Sequence, residues 1–554
     1  MRFQREIESC VQMRLYSMNR CHIILVFVGT FMAFILALTI GLQGPSVVQK
    51  YSVMASKLNK IPDDFRTGPF HVAAPPLSVF HQEIWLSAFV RRAKLDKHTG
   101  LVISFNVSVD VLVPNAMSAD RAESTDDDTH DFIRMRRTAD RPVALHCLHA
   151  AAKSNPTGSD EFWIKSKRNY AVMCDELFLA HIVPVDFSTY HFTVRFSGLL
   201  PEPRRRSGRS KEDESSVLRI DDVAFVFRYY NSQFTYMELT SRFVFFILTE
   251  LIAILFLGSL RHFALRDWTI EQRCTVLLLP TLLFYNNPLY PLRFFTNSWI
   301  PQFMDYLFQI TFLCSVLLFW LIVYHGLRST KRTICAFYAP KVFLVLTLWL
   351  PFVGLSLWKS CHEYTDVTFN ASSSLIGAIY LQAFLVFCAL IYLLFLIVLI
   401  IRAFADLRKL PYYNLRLKVL TALSVVAITA SLVSLVFRFK SDLMFNNQPE
   451  FNQPSLGKDD NDKPNWSKGR KQQEEATQLM TTPGDRSALE FTLIYTMWNS
   501  YLAALCFIYS PSSDASREVH FKDNPSLSMI NDSDEEVIYD SDVDSTQLTA
   551  LTRT

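Results

Sequence analysis

Polar side chains stand within or at the ends of helix-length apolar runs: Glu250, Asn286, Asn287, Asp305, Gln309, Gln382 and Asn499. Ionisable groups are costly in hydrocarbon, so they usually face protein or water. Two chemistries suit this set. Glu250 and Asp305 could form an ion or proton site, as in a transporter. The same residues could instead hydrogen-bond one helix to another, or Asp305 could be interfacial near a helix start. The runs show no internal repeat and no paired broken segments, which transporters often have, so helix-to-helix bonding is the favoured reading.

Catalytic chemistry has no comparable foothold. There is no GxSxG, HExxH or Walker loop, and no GxGxxG in a strand–helix context. The 13 His are scattered, and His146 has no evident partner. The 10 Cys stand singly, without metal-ligand spacing. The chain is expected not to be an enzyme, and no cofactor or metal is expected. A net charge of +3 is too small to argue for nucleic acid.

The elements that carry these residues form a membrane bundle. Hydrophobic residues make up 50% of the chain, which holds 45 Phe, and mean hydropathy is +0.16 despite two long polar regions. A helix needs roughly 20 apolar residues to cross a bilayer. Candidates lie at 243–260, 274–295, 302–325, 342–358, 375–401, 419–437 and 489–509. An eighth, at 23–43, follows a basic segment and is longer than a signal-peptide core, so an anchor helix is favoured over a cleaved signal. Pro280, Pro288 and Pro291 crowd one run and predict a kink or break there.

Residues 44–241 are polar and alternate with a period of two, most clearly over 101–113, again over 190–196 and 223–230, and plausibly over 85–90 and 177–182. Short strands with polar breaks predict a β-sandwich. Residues 114–141 and 201–216 read as solvated loops. Cys147 and Cys174 are the only cysteines of this region, and a non-cytosolic setting predicts a disulfide between them. Asn106, Asn370 and Asn465 begin glycosylation sequons.

Basic residues collect in alternate loops: Arg261, Arg266 and Arg273; Arg328, Lys331, Arg332 and Lys341; Arg402, Arg408, Lys409, Arg416 and Lys418. Positive charge marks the cytosolic side. The expected organisation is therefore a cytosolic N-tail over 1–22, an anchor helix over 23–43 and a lumenal or extracellular sandwich over 44–241. A seven-helix bundle follows over 242–510, with a lumenal loop at 440–488, and then a disordered acidic cytosolic tail over 511–554. In that tail Ser533 and Ser541 precede acidic residues and are candidate phosphorylation sites. The acidic tail also suggests sorting adaptors as partners.

The closing helix carries a family resemblance. Tyr495-Thr-Met-Trp498-Asn499-Ser-Tyr501, followed by Phe507-Ile-Tyr509-Ser-Pro511, resembles the last helix of Wntless. A closer resemblance is to the transmembrane protein 181 family. It begins at Met1 and continues through Arg266-Asp267-Trp268, Leu283-Phe-Tyr285-Asn286-Asn-Pro288, Tyr324-His-Gly326 and Asn531-Asp-Ser533. The insertions at 114–141, 201–216 and 440–488 depart from the family pattern. The resemblance implies one anchor helix, a GOLD-like sandwich, a seven-helix bundle, and a receptor or cargo-carrier role at the plasma membrane or in Golgi and endosomal membranes. It further implies a lipid or lipidated protein as ligand, and use as a host factor by bacterial cytolethal distending toxin. The rival readings are a G-protein-coupled-like signalling receptor and, behind it, a transporter. Signalling lacks support at the motif level: no Asp-Arg-Tyr follows the third bundle helix, and Asn287-Pro-Leu-Tyr290 matches NPxxY only loosely.

Overall fold

A computed structural model describes residues 13–58, 67–92, 101–114, 132–138, 140–147, 172–197, 220–327, 333–369, 376–407, 411–447 and 488–512. Alternation builds the first layer pair. On β4 (Leu101–Pro114), Phe105, Val107, Val109, Val111 and Val113 turn inward while Asn106 is exposed. One five-stranded sheet holds β1 (Val48–Met54), β3 (Ile84–Arg92), β7 (Val172–Met173), β8 (Leu177–Ile182) and β10 (Ile220–Tyr230). The other holds β2 (Phe70–Ala73), β4, β5 (Phe132–Arg137), β6 (Arg141–Cys147) and β9 (His191–Ser197). Their pairings are antiparallel, and the inner faces meet in an aromatic core where Phe70 lies 5.4 Å from Phe225 and Phe192 lies 5.7 Å from Phe227. The expected strands are all present. One loop reading is corrected: within 114–141, residues 132–137 form β5, which pairs with β4 from Asp110 to Pro114. Cross-strand bonding supplies there what local apolarity did not announce. Residues 201–216 lie outside the described ones.

Eight helices follow the apolar runs: α1 (Arg20–Gln43), α2 (Ser232–Leu260), α3 (Ile270–Tyr285), α4 (Ile300–Gly326), α5 (Ala339–Thr365), α6 (Ile376–Leu407), α7 (Pro411–Asn447) and α8 (Leu489–Tyr509). Seven described segments are long and apolar enough to cross a membrane. The exception, α3, has 16 residues, or roughly 24 Å. It ends at Tyr285 instead of running to 295; only Pro280 lies inside it, and Pro291 opens a separate turn, Tyr290–Phe294. Helix α2 starts at Ser232, ahead of its apolar run, where Asn231 caps it by accepting from Gln233 N at 3.0 Å. Helix α7 extends to Asn447, into the expected 440–488 loop, whose residues 448–487 lie outside the described ones.

Helix α8 is the inner span, with 67% of its apolar window buried against 6% for α1. The anchor α1 lies directly on it: Thr492 Oγ1 donates to Ala37 O at 3.1 Å. At the end of the bundle opposite the sandwich, Met13 and Pro511 form a β-bridge and Arg14 N donates to Ser510 O at 2.8 Å. The first and last described segments therefore meet on one side of the bundle.

Candidate functional site

Charges concentrate where the sandwich meets the bundle. The roughly three extra N-terminal turns of α2 place Glu238 and Arg242 on one face, four residues apart. Arg242 is 4% exposed, and its guanidinium grips Asp305 of α4 with two bonds, Nη1 to Oδ1 at 2.6 Å and Nη2 to Oδ2 at 3.1 Å. It also donates to Glu238 Oε1 from Nε at 3.1 Å and from Nη2 at 2.8 Å. Tyr290 closes the ring, donating to Glu238 Oε2 at 2.8 Å while its face receives the guanidinium at 4.2 Å. Asp305 takes two further donors, Asn287 Nδ2 at 2.8 Å and Gln309 Nε2 at 2.9 Å. Such a cluster tolerates burial because each carboxylate is met by charge and by hydrogen bonds.

The sandwich reaches into this cluster. Gln82 Nε2 donates to Tyr290 Oη at 3.1 Å and to Thr235 Oγ1 at 2.8 Å. Beside it, Glu83 accepts from Arg293 Nη2 at 2.8 Å and lies 3.2 Å from His181 Nε2. His181 stacks on Trp85 at 5.1 Å. Burial pushes the Glu83 carboxyl up, but the His181 hydrogen bond and the Arg293 charge outweigh it and hold the group down at about 2. Among the described residues the non-glycine positions with positive φ are Gln82, at 55°, and Asn287, at 50°. Both sit in this junction. Positive φ is uncommon outside glycine, and both residues carry their amides into this network.

A second polar group lies deeper. Asn286 and Asn499 exchange hydrogen bonds at 2.9 and 3.0 Å, and Thr249 Oγ1 joins both amides at 2.9 Å. Asn286 ends α3, Thr249 lies on α2 and Asn499 on α8, so three helices share one knot. Tyr495 and Trp498 of the closing motif pack inward, Tyr495 at 4.7 Å from Tyr285 and Trp498 at 5.6 Å from Phe312. Near the far end of the bundle, Glu271 and Arg416 form a buried ion pair, and Gln272 Nε2 donates to Tyr509 O at 2.9 Å.

The structure sorts the expected residues. Asp305 and Asn287 join the junction; Asn286 and Asn499 form the knot. Glu250 does not meet Asp305. It is exposed on the outer face of α2, while Asp305 is buried and paired, so a shared ion site has no geometry here. Gln382 lies on α6 with its side chain outside the described ones. Asn106 is exposed on β4. Cys174 is buried and disulfide-bonded, and the side chain of Cys147 lies outside the described ones. Asn370, Asn465, Ser533 and Ser541 also lie outside the described residues. Sequence reasoning missed Arg242, Glu83, His181, Tyr290 and Arg293. The Glu238–Arg242 spacing of four, just ahead of an apolar run, was a readable helix pair; the others have no local signal.

A sandwich inserted ahead of a helical bundle and locked to it by buried charge defines a multi-pass membrane protein with an integral ectodomain. Residues 231–513 match the Wntless-like transmembrane domain model. The chain is also 33% identical to human transmembrane protein 181 over 537 residues, 97% of this chain and 95% of that protein. The chain belongs to the transmembrane protein 181 family.

Proposed function

We propose that this protein is a receptor or cargo-sorting carrier in which the sandwich and the bundle act as one body. The junction supports this most directly: Glu83 pairs with Arg293, and beside it Gln82, Tyr290, Glu238, Arg242 and Asp305 are linked in sequence by hydrogen bonds. A ligand that shifts the sandwich must disturb buried charges between α2 and α4. The reading carries no catalytic step and no cofactor. The basic loops support cytosolic chain ends and a sandwich on the lumenal or extracellular side, where Cys174 would pair with Cys147 and Asn106 would be glycosylated. Membranes of the cell surface, Golgi or endosomes are the proposed location, and the acidic tail with Ser533 and Ser541 is the adaptor-facing signal.

The cargo surface is a groove of about 750 Å³ between the second sheet and the end of α5, lined by Arg136, Asp140, Arg141, Tyr364 and Asp366 among others. A lipidated protein would use this groove together with the bundle. The toxin role that the family resemblance implies would exploit the same exposed ectodomain.

Comparing secreted and surface proteins in cells with and without the protein tests the reading. Loss of a defined set, restored by wild type but not by Arg242→Met, supports a carrier. Unchanged delivery, with a second-messenger response to an added ligand, would move the assignment to signalling.

A further inference from the structure

Glu250 lies eight residues beyond Arg242 on α2 and eleven before Arg261, the residue that ends it. At 1.5 Å per residue those intervals are roughly 12 and 16 Å, which places Glu250 near the middle of a hydrocarbon layer about 30 Å thick. Its neighbour Thr249 points into the knot with Asn286 and Asn499. Glu250, about 100° further round the helix, is exposed, with no hydrogen bond or ion pair to any described residue. Around it the face is apolar and open: Phe243, Ile247, Leu251 and Ile254 are 64%, 50%, 52% and 58% exposed.

Two turns further along the same face, Gly258 has nothing within 4 Å of where a Cβ would stand. Small residues let transmembrane helices approach closely. A carboxylate at this depth is costly unless it is paired. Lipid headgroups lie too far away to pair with it, and acyl chains carry no cation. A cationic side chain on another polypeptide within the membrane would supply the complement.

We propose that the outer face of α2 docks the transmembrane helix of a partner protein bearing a lysine or arginine at mid-membrane depth, which pairs with Glu250 while its backbone packs over Gly258. The inference does not depend on the cargo the ectodomain takes.

The test uses the full chain in lipid nanodiscs and a fluorescent Leu/Ala-rich transmembrane peptide with one central lysine. An otherwise identical peptide without the lysine is the control. The lysine peptide should bind at least tenfold tighter than the control, and Glu250→Gln should remove that preference while leaving the melting temperature unchanged. Gly258→Phe should weaken binding of the lysine peptide through loss of close approach, with Glu250 intact. Equal binding of the two peptides, or a preference that survives Glu250→Gln, overturns the proposal. So does self-association through α2 without any preference for lysine, which would make the occupant a second copy of this chain.

Discussion

Arg242 illustrates how one side chain can decide a membrane protein's stability. Its guanidinium faces Glu238 and Asp305, both buried, in a setting that excludes water. Removing one partner of a buried pair leaves an uncompensated charge and costs about 3–5 kcal/mol. Arg242→Met is therefore expected to lower the melting temperature sharply in detergent. Arg242→Lys should recover only part of it, because an ammonium cannot match the two-pronged grip on Asp305. Adding Asp305→Leu to Arg242→Met should restore part of the loss. A fully additive double variant would show that the two residues are not coupled. Asn499→Leu should cost less, about 1–2 kcal/mol, in line with interhelical hydrogen bonds in membranes.

At the scale of elements, two glycines separate tight packing from tolerant packing. A Cβ on Gly41 of α1 would come within 2.6 Å of Leu489 Cα and 2.4 Å of Thr492 Oγ1 on α8. Backbone cannot yield there, so Gly41→Ala should push the anchor off α8. Cysteine cross-linking between Ala37 and Leu493 positions should fall markedly. On Gly326 of α4 the added carbon would meet Ile270 Cδ1 at 2.4 Å, the free end of a flexible side chain. Gly326→Ala should therefore cost about 1 kcal/mol or less, below the usual overpacking range. Equal effects at the two sites would contradict the packing of α1 on α8. Both helices were legible as apolar runs, but which face of each touches the other was not.

For the whole molecule, the sandwich–bundle lock has a defined dependence on pH. The Glu83 carboxyl is depressed from 4.5 to about 2. A depressed acid contributes stability above its unfolded pKa and loses it as pH falls through the folded one. The stability gap between wild type and Glu83→Gln should then hold steady from about pH 7 to about pH 5. It should close as pH falls from about 4.5 toward 2, an effect on the order of 3 kcal/mol. A gap that changes instead between about pH 7 and 5.5 would overturn the assignment to Glu83. On this account mildly acidic compartments do not unlock the junction through Glu83.

By itself the sequence determined the apolar spans, the alternating strands, the basic bias of the loops and the family, because each rests on composition or on a short repeat along the chain. It also marked Asn286, Asp305 and Asn499 as costly and hence partnered. Only the tertiary structure decided the partners. Arg242 stands just ahead of an apolar run, and nothing local names its partner, Asp305, 63 residues away. Glu250 and Asp305 looked alike as acids in apolar runs, and one faces out while the other is locked inward. A helical period says which residues share a face. It does not say which face meets another helix, and charge balance across helices depends on that choice.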